Sequence, residues 1–268
     1  METQTAAPAR LPVLFLGHGS PMNAIEDNRW SRAFRALGPA LPRPRAILAI
    51  SAHWFIAETA LTDDARPRTI HDFGGFPPAL YQVSYPAPGD RKLARRVAEM
   101  LGPGAQLLTD WGLDHGTWSV LCHLRPGADV PVVQLSIDAH KSPAEHLALA
   151  RQLAPLRDEG VLILGSGNIT HNLRHALTAM HRGDTSTPDW AERFDASLVR
   201  AVEQRDDAFF LKALSSPDGR VSHPTPDHYL PIVYAYGATD ARDTATFPIE
   251  GFDLGSLSMR SVVWTPKS

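Results

Sequence analysis

The chain has 268 residues, 43% of them hydrophobic and 21% charged, and a formal net charge of −3. That is material for a sizeable buried core, with no basic stripe to neutralise nucleic-acid phosphates or to meet an acidic membrane surface. A single cysteine, Cys122, allows no internal disulfide, and no apolar run is long enough to span a bilayer.

Residues 1–10 are polar and lack the apolar run of a signal peptide, so a cytoplasmic protein is expected. The apolar run 11–16 reads as a first strand and stops at Gly17-His18-Gly19-Ser20-Pro21. A helix follows within 28–37. Residues 46–50 are nearly all apolar, as in a strand buried on both faces, and end at Ser51-Ala52-His53-Trp54. The stretch 67–88 is rich in proline, glycine and aromatics. Phe73, Phe76, Tyr81 and Tyr85 are not residues of a solvated spacer, so it reads as a functional loop.

Residues 90–101 carry helical periodicity through Leu93, Val97 and Leu101. A short strand at 106–108 leads to Asp114-His115-Gly116-Thr117-Trp118. Another buried strand, 131–137, precedes Ser142-Pro143-Ala144-Glu145, a helix start with proline at its first position, and that helix runs to 157. The strand 161–164 ends at Gly165-Ser166-Gly167-Asn168-Ile169-Thr170-His171. An amphipathic helix spans 189–204. After Ser222-His223-Pro224-Thr225-Pro226-Asp227-His228 comes an apolar helix at 229–236, and two antiparallel strands, 244–249 and 257–264, close the chain. Short apolar strands alternating with helices predict an α/β fold, one domain with a mostly parallel central sheet flanked by helices.

Twelve histidines are present, and their placement is the signal. His18, His53 and His171 each lie in a turn directly after an apolar strand, where open α/β sheets bind ligands beyond the carboxyl ends. His115 and His228 lie in similar turn-rich settings. Converging imidazoles suit zinc, iron, copper or nickel. His171 and His175 have helical spacing but lack the adjacent glutamate of a zincin, which leaves His175 on a helix surface. His123, His140, His146 and His181 read as structural, His71 belongs to the aromatic loop, and Cys122 reads as a buried inert thiol. No phosphate-binding glycine loop, nucleophile elbow or cysteine pair is present. Trp54, Trp118, Phe73, Phe76 and Tyr229 are expected to wall the pocket.

Taken in order, Gly17-His18-Gly19-Ser20-Pro21, Ser51-Ala52-His53-Trp54, Asp114-His115-Gly116-Thr117-Trp118, Gly165-Ser166-Gly167 with Thr170-His171-Asn172, and His223-Pro224-Thr225-Pro226-Asp227-His228 resemble the class III extradiol ring-cleavage dioxygenases, in particular their DOPA extradiol dioxygenase branch. The resemblance spans nearly the whole chain. It implies one catalytic domain over 1–268, similar to the catalytic chain of that class, which opens a single-ring, DOPA-like catechol with Fe(II) and O2. By motif, His18, His53 and His228 would be metal ligands, with His171 contacting or facing the metal as acid and base. His115 would orient substrate or donate a proton, and His223, Trp54 and Trp118 would join it in binding substrate. Many class III enzymes use two histidines and a glutamate; here His228 takes the third place, with Asp227 beside it. An all-histidine site would also hold zinc. The partner is a small catechol, with neither nucleic acid nor membrane, and the protein a monomer or small homo-oligomer. Two other readings stand beside this one: a zinc hydrolase using metal-bound hydroxide, and a non-catalytic metal-binding protein on the same scaffold.

Overall fold

Side-chain alternation along the strands builds the two faces of the sheet. A computed structural model describes residues 10–267, so the reading of residues 1–9 lies outside it. The chain begins with β1 (Val13–Gly17), α1 (Arg29–Ala40), β2 (Ala46–Ile56), β3 (Thr59–Thr62), α2 (Pro78–Tyr81), α3 (Arg91–Leu101), β4 (Ala105–Leu108), α4 (His115–Leu124), β5 (Val132–Asp138) and α5 (Pro143–Leu153). It continues with β6 (Val161–Gly167), α6 (Leu173–His181), α7 (Asp189–Gln204), α8 (Asp207–Lys212), α9 (Pro217–Ser222) and α10 (Leu230–Gly237). The final strands are β7 (Asp243–Ile249), β8 (Phe252–Asp253), β9 (Leu257–Ser258) and β10 (Ser261–Pro266).

Eight strands form one sheet in the order β4-β3-β5-β2-β6-β1-β10-β7. Its centre, β5-β2-β6-β1, is parallel throughout. Antiparallel pairing appears only toward the edges, where β3 meets β5, β10 meets β1, and β7 meets β10. Val13 and Phe15 of β1 bury into one core together with Leu48, Ile50 and Ile163; α3, α5, α7 and α10 cover that face. Leu14 and Leu16 bury into the other with Ile47, Ala49, Leu162 and Leu164, under α1, α4 and the aromatic loop. Each strand therefore feeds both cores, which is why its sequence reads as a continuous apolar run.

Local rules account for the helix starts. Ser142 caps α5 and Glu145 bonds back to the Ser142 N–H at 2.8 Å, a capping box with proline in the first turn. Asn28 caps α1 in the same reciprocal way with Ser31. The buried pair Arg157–Asp243 ties the chain just after α5 to β7, with the guanidinium also donating to the Leu11 carbonyl at 2.7 Å. Among the described residues no helix is long and apolar enough to cross a membrane.

Several elements differ from the sequence expectation. β2 continues to Ile56, so His53 lies within a strand rather than in a turn after one. The strand is irregular there, its register to β5 shifting between Ile50 and Phe55. β3 and α4 were not anticipated; the glycine and threonine of Gly116-Thr117 mask a helix that begins directly at His115. The closing strands are separated by a small hairpin, β8 with β9.

Candidate active site

Five imidazoles meet at the carboxyl end of the parallel strands. β1 stops at Gly17, and the His18 N–H donates to the Gly167 carbonyl at 3.0 Å, seating His18 between β1 and β6. His53 projects from the irregular part of β2. His115 is the first residue of α4, whose cap Asp114 accepts from the Thr117 N–H. Glycine is needed at 116, because a Cβ there would come within 2.4 Å of Ser51 Oγ and 2.9 Å of the His53 ring. His171 follows β6 and bonds through its N–H to the Ser222 carbonyl at 2.9 Å. His228 precedes α10, and its carbonyl accepts the Asn168 N–H at 3.0 Å.

The rings are close. His171 and His228 stack with centroids 3.5 Å apart and planes 2° from parallel, and His53 and His115 are 3.8 Å apart. His18 lies 5.1 Å from His53 and 5.3 Å from His228.

The outer nitrogens of His18 and His228 are hydrogen-bonded and those of His53 and His115 lie beside a carboxylate, and this orients the inner ones. Ser166 spends its hydroxyl proton on the Gly116 carbonyl, so its oxygen accepts from His18 Nδ1–H at 3.0 Å. Nδ1 of His53 and Nδ1 of His115 lie 3.2 and 3.0 Å from one oxygen of Asp72, whose other oxygen accepts the His115 backbone N–H at 2.9 Å. His228 Nδ1 bonds to Asp227. With the protons on Nδ1, each Nε2 presents a lone pair to the centre. His18 Nε2 and His53 Nε2 face one another at 3.2 Å. Two lone pairs at that separation repel, and a cation between them removes the conflict. The spacing also matches two nitrogens each about 2.1 Å from one ion.

Burial and mutual repulsion favour the neutral form of His18, His115, His171 and His228. Burial first, then His53, His228, His115 and His171, push His18 well below the ordinary histidine value. His228 is lowered in the same way, by burial and then His171. Burial lowers His171 to about 4, against the pull of Asp227. For Asp72, burial would raise the carboxyl, but hydrogen bonds and charge from His115 and His53 outweigh it and hold the group well below the carboxylate range. Behind the cluster, Asp114 is fully buried and raised by that burial, while accepting from Ser51 Oγ at 2.7 Å. Neutral imidazoles backed by carboxylates form a donor set suited to a divalent metal.

The tightest donor group among the described residues is His18, His53 and His115, whose ligand atoms lie within 4.8 Å of one another. The sequence grouped His18 and His53 with His228 instead. Asp72 lies beside both His53 and His115, while Asp227 and the stacked His171 flank His228, whose ring is 5.3 Å from His18 and 5.0 Å from His53. All five histidines line one cavity of about 770 Å³, with Asp72, Phe73 and Phe76.

Other expected wall residues are placed elsewhere. Trp54, one residue on from His53 in β2, points away from the cluster and stacks on Trp111 at 5.7 Å. Trp118 is fully buried and donates its indole N–H to the Ile70 carbonyl at 2.8 Å, supporting the aromatic loop from behind. His223 bonds through Nε2 to the Ile169 carbonyl at 2.8 Å and packs on Phe194 and Tyr229, so neither His223 nor Tyr229 reaches the cavity. Sequence reasoning assigned no role to Asp72 or Ser166. Ser166 stood inside the quoted Gly165-Ser166-Gly167 motif, while an isolated aspartate in an irregular loop carries no periodic signal.

A match to the family described as "Catalytic LigB subunit of aromatic ring-opening dioxygenase" covers residues 12–254. The chain is 49% identical over 262 residues to the 4,5-DOPA dioxygenase extradiol of Escherichia coli K12, covering 94% of each chain. It is 38% identical to the protein of the same name from Beta vulgaris, covering 94% of this chain and 95% of that one. The crystal structure of an uncharacterized protein from Escherichia coli K12 superposes with a TM-score of 0.82 at 43% identity, covering 95% of this chain and 99% of that chain.

Proposed function

The chain belongs to the family of the catalytic LigB subunit of aromatic ring-opening dioxygenases and is an extradiol ring-cleavage dioxygenase; from that premise we propose that it opens a single-ring, DOPA-like catechol with O2, using Fe(II). The observation that supports this reading is the inward convergence of lone-pair nitrogens at His18 and His53. Neither the zinc hydrolase nor the non-catalytic reading finds support among these relatives.

His18 and His53 hold the metal, with His228 as third ligand, its Nδ1 backed by Asp227. Bound Fe(II) supplies Lewis acidity toward the catechol hydroxyls and a place to activate O2. His171, pushed down to about 4, is neutral at pH 7 and accepts a phenolic proton, returning it later in the reaction. Stacking on His228 holds its ring, and the Ser222 carbonyl holds its backbone N–H. His115, anchored on Asp72, orients the substrate. Phe73, Phe76 and Leu173 line the cavity and limit water around the reacting ring. The grouping of His115 with His18 and His53 favours one second reading, in which His115 and His228 exchange roles. Metal content separates the two: under the proposal His228→Ala loses metal and His115→Ala retains it.

The test is anaerobic loading with Fe(II), then L-DOPA and air, following yellow absorbance and oxygen uptake. Stoichiometric uptake with a yellow product is expected from the iron form, and no turnover from protein loaded with zinc, which the all-nitrogen site also accommodates. Silence across a panel of catechols with iron demonstrably bound would reject the proposal.

A further inference from the structure

The cavity is not uniform. Its floor is histidine and Asp72, one wall is the apolar stripe Leu173, Leu177 and Met180 of α6, and its mouth carries Glu26, Arg29 and Asp253. A volume of about 770 Å³ is several times that of one catechol ring, so a ring held among the histidines leaves room for its substituent to extend to the mouth.

Arg29 differs from its neighbours. Arg32 and Arg35, on the same helix, both pair with Asp27. The Arg29 guanidinium instead donates to the Phe252 carbonyl at 2.8 Å and lies 3.8 Å over the Trp30 ring, and among the described residues no carboxylate pairs with it. These contacts fix the plane of the fork while leaving donors unspent, the arrangement that suits bidentate recognition of a carboxylate. Gly251, with φ of +107°, brings the β7–β8 turn beneath it; a Cβ there would approach the guanidinium to 3.4 Å. Two anions stand on the same rim. Asp253 is raised by burial, against the Leu254 N–H at 3.1 Å, a hydrogen bond from Trp30 and the charge of Arg29, and Glu26 is exposed beside Asn28.

We infer that Arg29 is a specificity-determining residue that binds a carboxylate at the end of the catechol's substituent, and that Glu26 and Asp253 receive an ammonium on the same substituent. The mouth is then the subsite that reads the charged end of the substituent. This assignment rests on the ring-cleavage reading above and adds which residues of the chain select the substituent.

The test compares kcat/KM of the iron-loaded enzyme on L-DOPA, dopamine, which lacks the carboxylate, dihydroxyphenylpropanoate, which lacks the ammonium, and methylcatechol, which lacks both. In Arg29→Gln the ratio of dihydroxyphenylpropanoate to methylcatechol falls about tenfold, the size of one partly exposed charge-assisted contact, mainly through KM. Arg29→Lys, which keeps the charge, recovers part of it. Glu26→Gln and Asp253→Asn lower the ratio of dopamine to methylcatechol instead. Ratios unchanged in Arg29→Gln, or all four substrates falling together, overturn the assignment while ring cleavage stands. No cleavage of any catechol by the unmodified iron-loaded protein overturns the ring-cleavage reading, and this assignment with it.

Discussion

Two buried histidine environments lie on this sheet and share one electrostatic signature. At the carboxyl end of the strands, burial lowers His171 to about 4. On one face, between α5 and α10, burial lowers His146 to about 4 as well. Neither value marks a site. What separates them is company: His171 stacks on His228 within a cluster of five rings that line a cavity. His146 has a single polar partner, the Tyr234 hydroxyl at 3.0 Å, and its Nε2 meets no partner among the described residues. A depressed histidine is common wherever imidazole is buried, and chemistry needs several of them aimed at one point.

The sharpest way to break this contrast is to remove one ring at a time from the cluster. His18→Ala and His53→Ala should each lose bound metal and, with it, ring cleavage. His171→Ala should lower kcat by about 10²–10⁴-fold, the usual worth of a placed acid–base group, while much of the metal stays. Metal analysis beside single-turnover kinetics decides it. Full metal occupancy in His18→Ala or His53→Ala would mean the ion sits elsewhere, and normal turnover by His171→Ala would remove its role.

A smaller effect is expected one step outward. Asp72 holds two rings at once, His53 at 3.2 Å and His115 at 3.0 Å. Asp72→Asn leaves the size unchanged but can no longer present a full charge to both Nδ1 atoms. Metal affinity should fall by about 10–100-fold, as for other outer partners of ligand histidines. Competition with a chelator measures it; an unchanged dissociation constant would show that packing alone positions the two rings.

How much of this was legible follows from where each residue sits. His18 and His171 follow strands whose apolar runs are plain in the sequence, and the rule that parallel sheets bind ligands beyond their carboxyl ends did the rest. His53 was located for an inexact reason: β2 runs on through it, and the irregularity after Ile50 is what turns the ring inward. The parallel centre of the sheet and α7, Asp189–Gln204, were readable because periodicity was unbroken. Trp54 and Trp118 were expected on the cavity wall because aromatic character is visible in sequence, whereas the face a side chain takes is settled by register and by partners such as the Ile70 carbonyl. Asp72 and Arg29 were invisible as functional residues for a related reason. Their meaning lies wholly in contacts made across 43 and 223 positions of chain, to His115 and to Phe252.

His146 completes the comparison, because a residue with the same depressed value but no cluster should matter to stability and not to turnover. His146→Leu keeps an apolar side chain in a fully buried position and forfeits the hydrogen bond to Tyr234, so at pH 7.5 the variant should be less stable by about 1 kcal/mol. The sign of the pH effect is opposite. The folded value is about 4 against an ordinary 6.5, so between those values the unfolded chain takes up a proton that the folded one refuses. The wild-type protein therefore loses stability as pH falls through that window, by about 2 kcal/mol at pH 5 if the shift is fully expressed. The variant has no such group, so its disadvantage should shrink and then reverse in the upper half of the window. Comparing the two proteins by urea unfolding at each pH cancels the titration of the distant cluster, which both share. A stability difference constant from pH 7.5 to 5 would show that His146 titrates alike in the folded and unfolded protein, and catechol turnover altered by the substitution would join it to the site from which the structure separates it.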